Sequence, residues 1–232
     1  MSTTTLHDKF SNSDTMTFDT KTLAWVIGLA AAFILTMTVA DFAAVKFLDL
    51  GWVMTPAGSL LFAFVFVTRD MLHKLAGGAM VKRVILIAIA LNVLTALFMW
   101  AMTLLPAPGF RPSDAFDAVF RMAPAIVAGS IVAGLISQWV NTWAYQWLWD
   151  RGHGTWSRTI WSNVISLPVD AIFFTILAFV LFPPLFGGNA LELGAAAARI
   201  ASGQTLFKLA IILALTPLVS LSPTREEAKT MA

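Results

Sequence analysis

Apolar residues fill this chain in long blocks, and short clusters of glycine, proline and charge separate them. The blocks lie near 22–48, 57–76, 82–105, 123–149, 160–183 and 203–222. Each reaches the ~20 residues that a helix needs to cross the hydrocarbon of a bilayer. The pattern predicts an all-α polytopic membrane protein with six transmembrane helices. The breaks carry turn chemistry: LGWVMTP, AGGAM, LPAPGFRPSD, DRGHGTWSR and FPPLFGGNA. Ser113-Asp114 predicts the cap of a short interfacial helix ahead of Pro124. Residues 1–21 are expected to form a disordered cytoplasmic tail, residues 22–222 one six-helix membrane domain, and residues 223–232 a second cytoplasmic tail. The first stretch is polar and lacks the apolar core of a signal peptide.

Composition narrows the class. Of 232 residues, 58% are hydrophobic and 12% charged, which leaves no charged skin for a large soluble domain. A net charge of +2 supplies no basic surface, so no direct nucleic-acid binding is expected. Cysteine is absent, which removes disulfides and thiolate metal sites. His7, His73 and His153 have no metal-ligand spacing. No metal or cofactor is expected. Orientation follows from Lys and Arg. With six spans and both ends inside, ten fall on inner segments: Lys9, Lys21, Arg69, Lys74, Lys82, Arg83, Arg151, Arg158, Arg225 and Lys229. Three fall outside: Arg111, Arg121 and Arg199. Lys46 and Lys208 lie within or at the edge of spans. Both termini are therefore expected in the cytoplasm.

The candidate chemistry is the polar residue set inside the apolar runs. Asp170 sits in TIWSNVISLPVDAIFFTILAFVLF, deep enough that a carboxylate must be paired or face a polar cavity. Arg158, Ser162, Ser166 and Asp170 recur every four residues, one stripe of a helix. Span four carries Ser130, Gly134, Ser137, Gln138, Asn141 and Tyr145 on one broad face. Ser130 and Gly134 read as small residues for helix packing, as do Gly129 and Ala133. Gln138 and Asn141 read as cavity residues, because amides are costly against lipid. In span six, Gln204 and Lys208 are four apart. Lys208 either snorkels to the headgroups or turns inward, with Asp170 as its counter-charge. Asp41 is expected to pair with Lys46, and Asp70 with Lys74 or Arg69. Pro168 and Pro217 are expected to interrupt spans five and six. A faint echo, Ser-x-x-Val-Asn/Asp, links Ser137–Asn141 to Ser166–Asp170. Of nine tryptophans, most mark span ends as an interfacial belt. Trp139 is the one placed to stack on a planar ligand.

These residues also resemble a known pattern, that of the VUT family of bacterial queuosine-precursor transporters. The resemblance runs from about Lys46 to Pro217. Pro56-Ala57-Gly58, Phe62, Asp70 and Gly77 resemble its first block. Pro124 to Asn141, with Ser130 and Ser137-Gln138, resembles the second. Arg158, Ser162, Ser166 and Asp170, followed by IFFTILAF, resemble the third, and Lys208 with Pro217 the last. The chain departs at Lys74, usually acidic, at Ala63, usually Pro, and at Ala125, usually Arg. It departs also at Asn141, usually Asp, and at Leu167, usually Gln. The resemblance implies a six-span transporter of the bacterial inner membrane. Its cargo would be 7-cyano-7-deazaguanine (preQ0) or 7-aminomethyl-7-deazaguanine (preQ1). The residues expected to bind it are Asp170, Gln138, Asn141, Lys208, Ser166 and Trp139, with Asp70, Lys46 and Pro168 serving gating or coupling. The expected partners are the deazapurine base, the lipid bilayer and, in a homo-oligomer, further copies of the chain.

Other classes remain in view. A vitamin-binding subunit would need a partner ATPase, because no GxxxxGK[ST] motif is present. An enzyme would need a motif such as HExxH or a nucleophile elbow, and neither is found. A structural membrane protein would use its polar residues for packing alone.

Overall fold

The computed structural model describes residues 20–215, apart from Arg111 and Leu193. The expected terminal tails lie outside these residues but for Thr20 and Lys21, which open the first helix, and so does Pro217 of span six. That helix, α1, runs Thr20–Ala43, and α2 runs Gly58–Met102. The short α3 spans Asp114–Phe120, α4 Ala123–Asp150, α5 Thr155–Thr175 and α6 Ala195–Leu215. Five helical stretches are long and apolar enough to cross a membrane. The protein is a polytopic, essentially all-α membrane protein.

The expected turn at AGGAM is narrower than its composition suggests. Helix α2 has one non-helical residue, Gly77, at φ 80° and ψ 170°. That region is open essentially to glycine alone. A straight helix of this length would reach about 67 Å, roughly twice the ~30 Å hydrocarbon thickness. Instead the chain folds back at Gly77. Val65 and Leu72 of the first arm and Val84 and Ala88 of the second share one core with Val26, Leu29 and Phe33 of α1. Each arm alone has membrane-crossing length.

Span one ends earlier than its apolar run predicts. Helix α1 stops at Ala43, and residues 44–46 turn into a two-stranded antiparallel ribbon. Its strands are β1 (Phe47–Asp49) and β2 (Met54–Pro56), paired Phe47 to Pro56 and Asp49 to Met54. Lys46 is therefore an exposed turn residue rather than part of a span. The ribbon beds against α6. A side chain at Gly203 would run into the Met54 carbonyl and Val53, so only glycine allows this approach. At the same end Arg199 reaches Asp49 at 3.4 Å and the Gly51 carbonyl at 2.7 Å.

Helix α5 is not broken by Pro168, which sits within an uninterrupted helix. The irregularity follows it, as a π-helical stretch at Ile176–Leu181 and a 3-10 turn at Pro183–Phe186. Gly129 of α4 packs against the Ala178 backbone at the π stretch, which matches the small-residue packing expected there. The short helix starts where predicted, at Asp114, but Ser113 does not cap it with its side chain: the hydroxyl donates to Asp117 Oδ2 at 3.1 Å instead of accepting from a backbone N–H. Large apolar side chains such as Leu35, Leu86, Leu94 and Leu135 point outward, as expected for helices bathed in lipid.

The ribbon, the Trp100 end of α2 and the Pro183–Phe186 turn lie at one end of the bundle. Trp100 Nε1 donates to the Phe186 carbonyl at 3.4 Å. Helix α6 starts at that end and runs away from it. Reporter fusions at Gly187 and at Ala232 are expected on opposite sides of the membrane, with Ala232 cytoplasmic. Fusions reporting the same side would contradict this arrangement.

Candidate functional site

The site is built where antiparallel α4 and α5 face each other. Ser137 Oγ donates to Asp170 Oδ1 at 3.1 Å. One helical turn away, Asn141 Nδ2 donates to Ser166 Oγ at 3.0 Å and to Asn163 Oδ1 at 3.2 Å. The two members of the Ser-x-x-Val-Asn/Asp echo thus bond reciprocally, the Ser of each to the Asn or Asp of the other. The four-residue spacing places both bonds on one seam. Helix α6 supplies the third wall. Lys208 Nζ lies 2.8 Å from Asp170 Oδ2, and both residues are 4% exposed. Lys208 turns inward and does not snorkel. The Phe62 ring lies 4.5 Å from its ammonium and Phe174 5.6 Å, so the cation is wrapped in aromatic faces as well as paired.

Asp170 stands between two clefts. A narrow inner cleft of about 330 Å³ is lined by Asp41, Ser59, Phe62, Ser130, Gln204 and Lys208. A second, more polar cleft of about 600 Å³ is lined by Phe66, Arg69, Gln138, Asn141 and Ser166. Asp170 lines both. Gln138, Asn141, Asp170 and Lys208, all expected to bind one cargo, therefore do not line a single cleft. The ion pair fills the centre and divides the space, with Lys208 on one side and the two amides on the other. Helix α2 contributes more than its sequence suggested, through Phe62, Phe66 and Arg69.

Asp41 does not meet Lys46. Its Oδ2 accepts a short hydrogen bond from Asn92 Nδ2 and a 3.1 Å bond from Ser130 Oγ. The reason is where α1 ends: Asp41 turns into the bundle while Lys46, beyond the helix, faces out. Ser130, expected only to pack, is a ligand of a buried carboxylate. Asn92, a lone amide in the apolar run of span three, is not among the candidates that spacing singles out. That loneliness was the available signal, because an isolated amide at membrane depth needs a partner. Gln204, 0% exposed, donates to Thr175 Oγ1 at 3.0 Å. Among the described residues, Asn92 Oδ1 and Gln204 Oε1 are buried acceptors without a donor.

The remaining candidates lie elsewhere. Trp139 is 75% exposed on the outside of α4 and lines neither cleft, which leaves Phe62, Phe66 and Phe174 as the aromatic walls. Asp70 pairs with Arg69 at 3.0 Å and is about half exposed. Pro168 lies two residues from Asp170 within α5. The Arg158 side chain falls outside the described placements. Among the described residues no three His, Asp or Glu side chains gather as metal ligands.

Comparison with known proteins bears on the same stretch. Residues 56–222 match the family described as "Putative vitamin uptake transporter", and the chain belongs to that family. It is also similar to the "Probable queuosine precursor transporter" of Bacillus subtilis (strain 168), at 24% identity over 146 residues. The match covers 61% of this chain and 63% of that relative, so the chain spans less than two thirds of it. No solved structure matches the chain. Asp41 lies outside the stretch that matches the family.

A buried pair makes a specific demand on mutants. Lys208→Met strands the Asp170 carboxylate and is expected to cost roughly 3–5 kcal/mol of stability. Adding Asp170→Asn removes the stranded charge and should restore most of the loss. Thermal unfolding of both variants in detergent checks this. A double variant no more stable than Lys208→Met alone would show that the two charges are not coupled.

Proposed function

We propose that this transporter imports a deazaguanine precursor of queuosine, preQ0 or preQ1, across the bacterial inner membrane, with both termini in the cytoplasm. The observation that carries the reading is Asp170, a buried carboxylate on the boundary between two clefts. The name of the Bacillus relative gives the substrate class.

The chemistry of the base fits the residues around it. A deazaguanine presents N1–H and a 2-amino group side by side. A carboxylate offers two acceptor oxygens at matching separation, so Asp170 can take both donors. Those oxygens now hold Ser137 and Lys208. The base would displace Lys208 from Oδ2, and the released ammonium would donate to the carbonyl oxygen beside N1. Gln138 and Asn141 line the polar cleft as further amide partners, and Phe62 or Phe66 offers a face for the ring. The exchange keeps each charge solvated by a fixed partner, which a low-dielectric site requires. Nothing in this scheme makes or breaks a covalent bond, and we read the protein as a transporter rather than an enzyme.

Asp170→Asn is expected to abolish uptake at low substrate while the protein still inserts. The amide offers one acceptor and one mismatched donor. A donor facing a donor costs on the order of 1–3 kcal/mol, about a ten- to hundredfold loss of affinity. Uptake is read as queuosine in tRNA, in a bacterium that cannot make preQ0 and lacks its own importer. Guanine should compete and adenine should not, since adenine lacks the adjacent N–H pair. Normal uptake by Asp170→Asn, or equal competition by adenine, would make Asp170 a packing residue.

A further inference from the structure

The inner cleft holds two carboxylates and one cation. Lys208 sits on Asp170 at 2.8 Å, so that pair is neutral as a unit. Asp41, 4% exposed, has no cation of its own among the described residues. The charged groups that act on it are Lys208 of α6 and Asp170 of α5, whose effects oppose each other. Helices α2 and α4 bring it only the neutral donors Asn92 and Ser130. With both acids ionised the cleft carries a net charge of −1, buried in protein within a bilayer. A lone charge there is expensive and is removed by a bound cation.

The donors around Asp41 decide which cation. Asn92 and Ser130 both present hydrogens to Oδ2, and those hydrogens repel a metal ion from that oxygen. The cleft is also narrow. A proton needs no such cage. It turns Asp41 into a donor, and Gln204 Oε1, lining the same cleft, is a buried acceptor that lacks one.

We propose that Asp41 is a proton-loading site, carrying one proton in the resting protein and releasing it in the transport cycle. When preQ1, whose aminomethyl group carries a positive charge, takes the Asp170 oxygens and frees Lys208, the cleft holds two cations, and an ionised Asp41 balances the second. Substrate occupancy and proton release are thereby linked. The linkage half of the proposal rests on the transport reading above, whereas the loading half stands on the cleft alone.

Two measurements separate them. Infrared difference spectra of the purified protein should show a protonated carboxylic acid band at neutral pH that is absent in Asp41→Asn. Asp41→Glu, which keeps the acid and moves its band, assigns the signal should Asp41→Asn not fold. A wild-type protein without the band at neutral pH overturns the loading site. In proteoliposomes with the membrane potential clamped, an outward proton gradient of one pH unit, acid inside, should concentrate preQ1 about tenfold, as expected when one proton leaves for each base that enters. Asp41→Asn should equilibrate the base at a ratio of about one without concentrating it. Wild-type accumulation by Asp41→Asn overturns the linkage, as does accumulation driven by a sodium gradient and not by pH. Wild-type vesicles that carry no base at all would count against the substrate reading, and the infrared band alone then decides the proton site.

Discussion

A carboxylate and an ammonium buried together at membrane depth set the terms for the rest of this fold. Asp170 and Lys208 come from helices separated by a π-helical stretch, a 3-10 turn and a loop. Each would be intolerable there alone. Holding them 2.8 Å apart needs α6 to lie close against α5 and the ribbon. Gly203 permits that approach, because any side chain at its position would strike Met54. Gly129 does the same for α4 against the π stretch that continues α5. These two glycines are thus placed where backbones must close around the charges, whereas Gly134, also expected to serve packing, has open space where a side chain would stand. Ser137, Phe62 and Phe174 then satisfy what the pair leaves exposed.

The pair also explains why two clefts meet at Asp170 without merging there. A closed ion pair is a partition. On one side lie amides and hydroxyls from α4 and α5, and on the other Asp41, Gln204 and the ribbon end of the bundle. A ligand that competes for Asp170 must open the partition, which couples binding to a change of shape by way of differential contacts. The π stretch directly after Thr175 departs from the regular helix beside this centre, and the Gly77 reversal does so further along α2. Departures of this kind recur at functional sites.

Much of this was legible in the sequence, and the reasons differ by residue. Apolar run length revealed the membrane helices, because the bilayer fixes that length. Asp170 was legible because a lone acid in such a run is costly, Ser166 because it shares the Asp170 helical stripe, and Ser137 and Asn141 because they share one polar face of span four. What failed were readings that needed a third dimension. Asp41 was paired with Lys46 because the two are close in sequence, but the helix ends between them. Asn92, fifty-one residues away, could not be linked to Asp41 by spacing. Trp139 sits in the polar part of span four, yet the helix turns it outward. Run length also overextended α1, since the ribbon strands that follow it are apolar too.

The account turns on whether a base opens the Asp170–Lys208 pair. A structure of the protein with bound preQ1 answers this most directly. The account predicts the N1–H and 2-amino edge on the two Asp170 oxygens, with Lys208 moved off Oδ2. A base seated elsewhere while Asp170 and Lys208 remain bonded would contradict it.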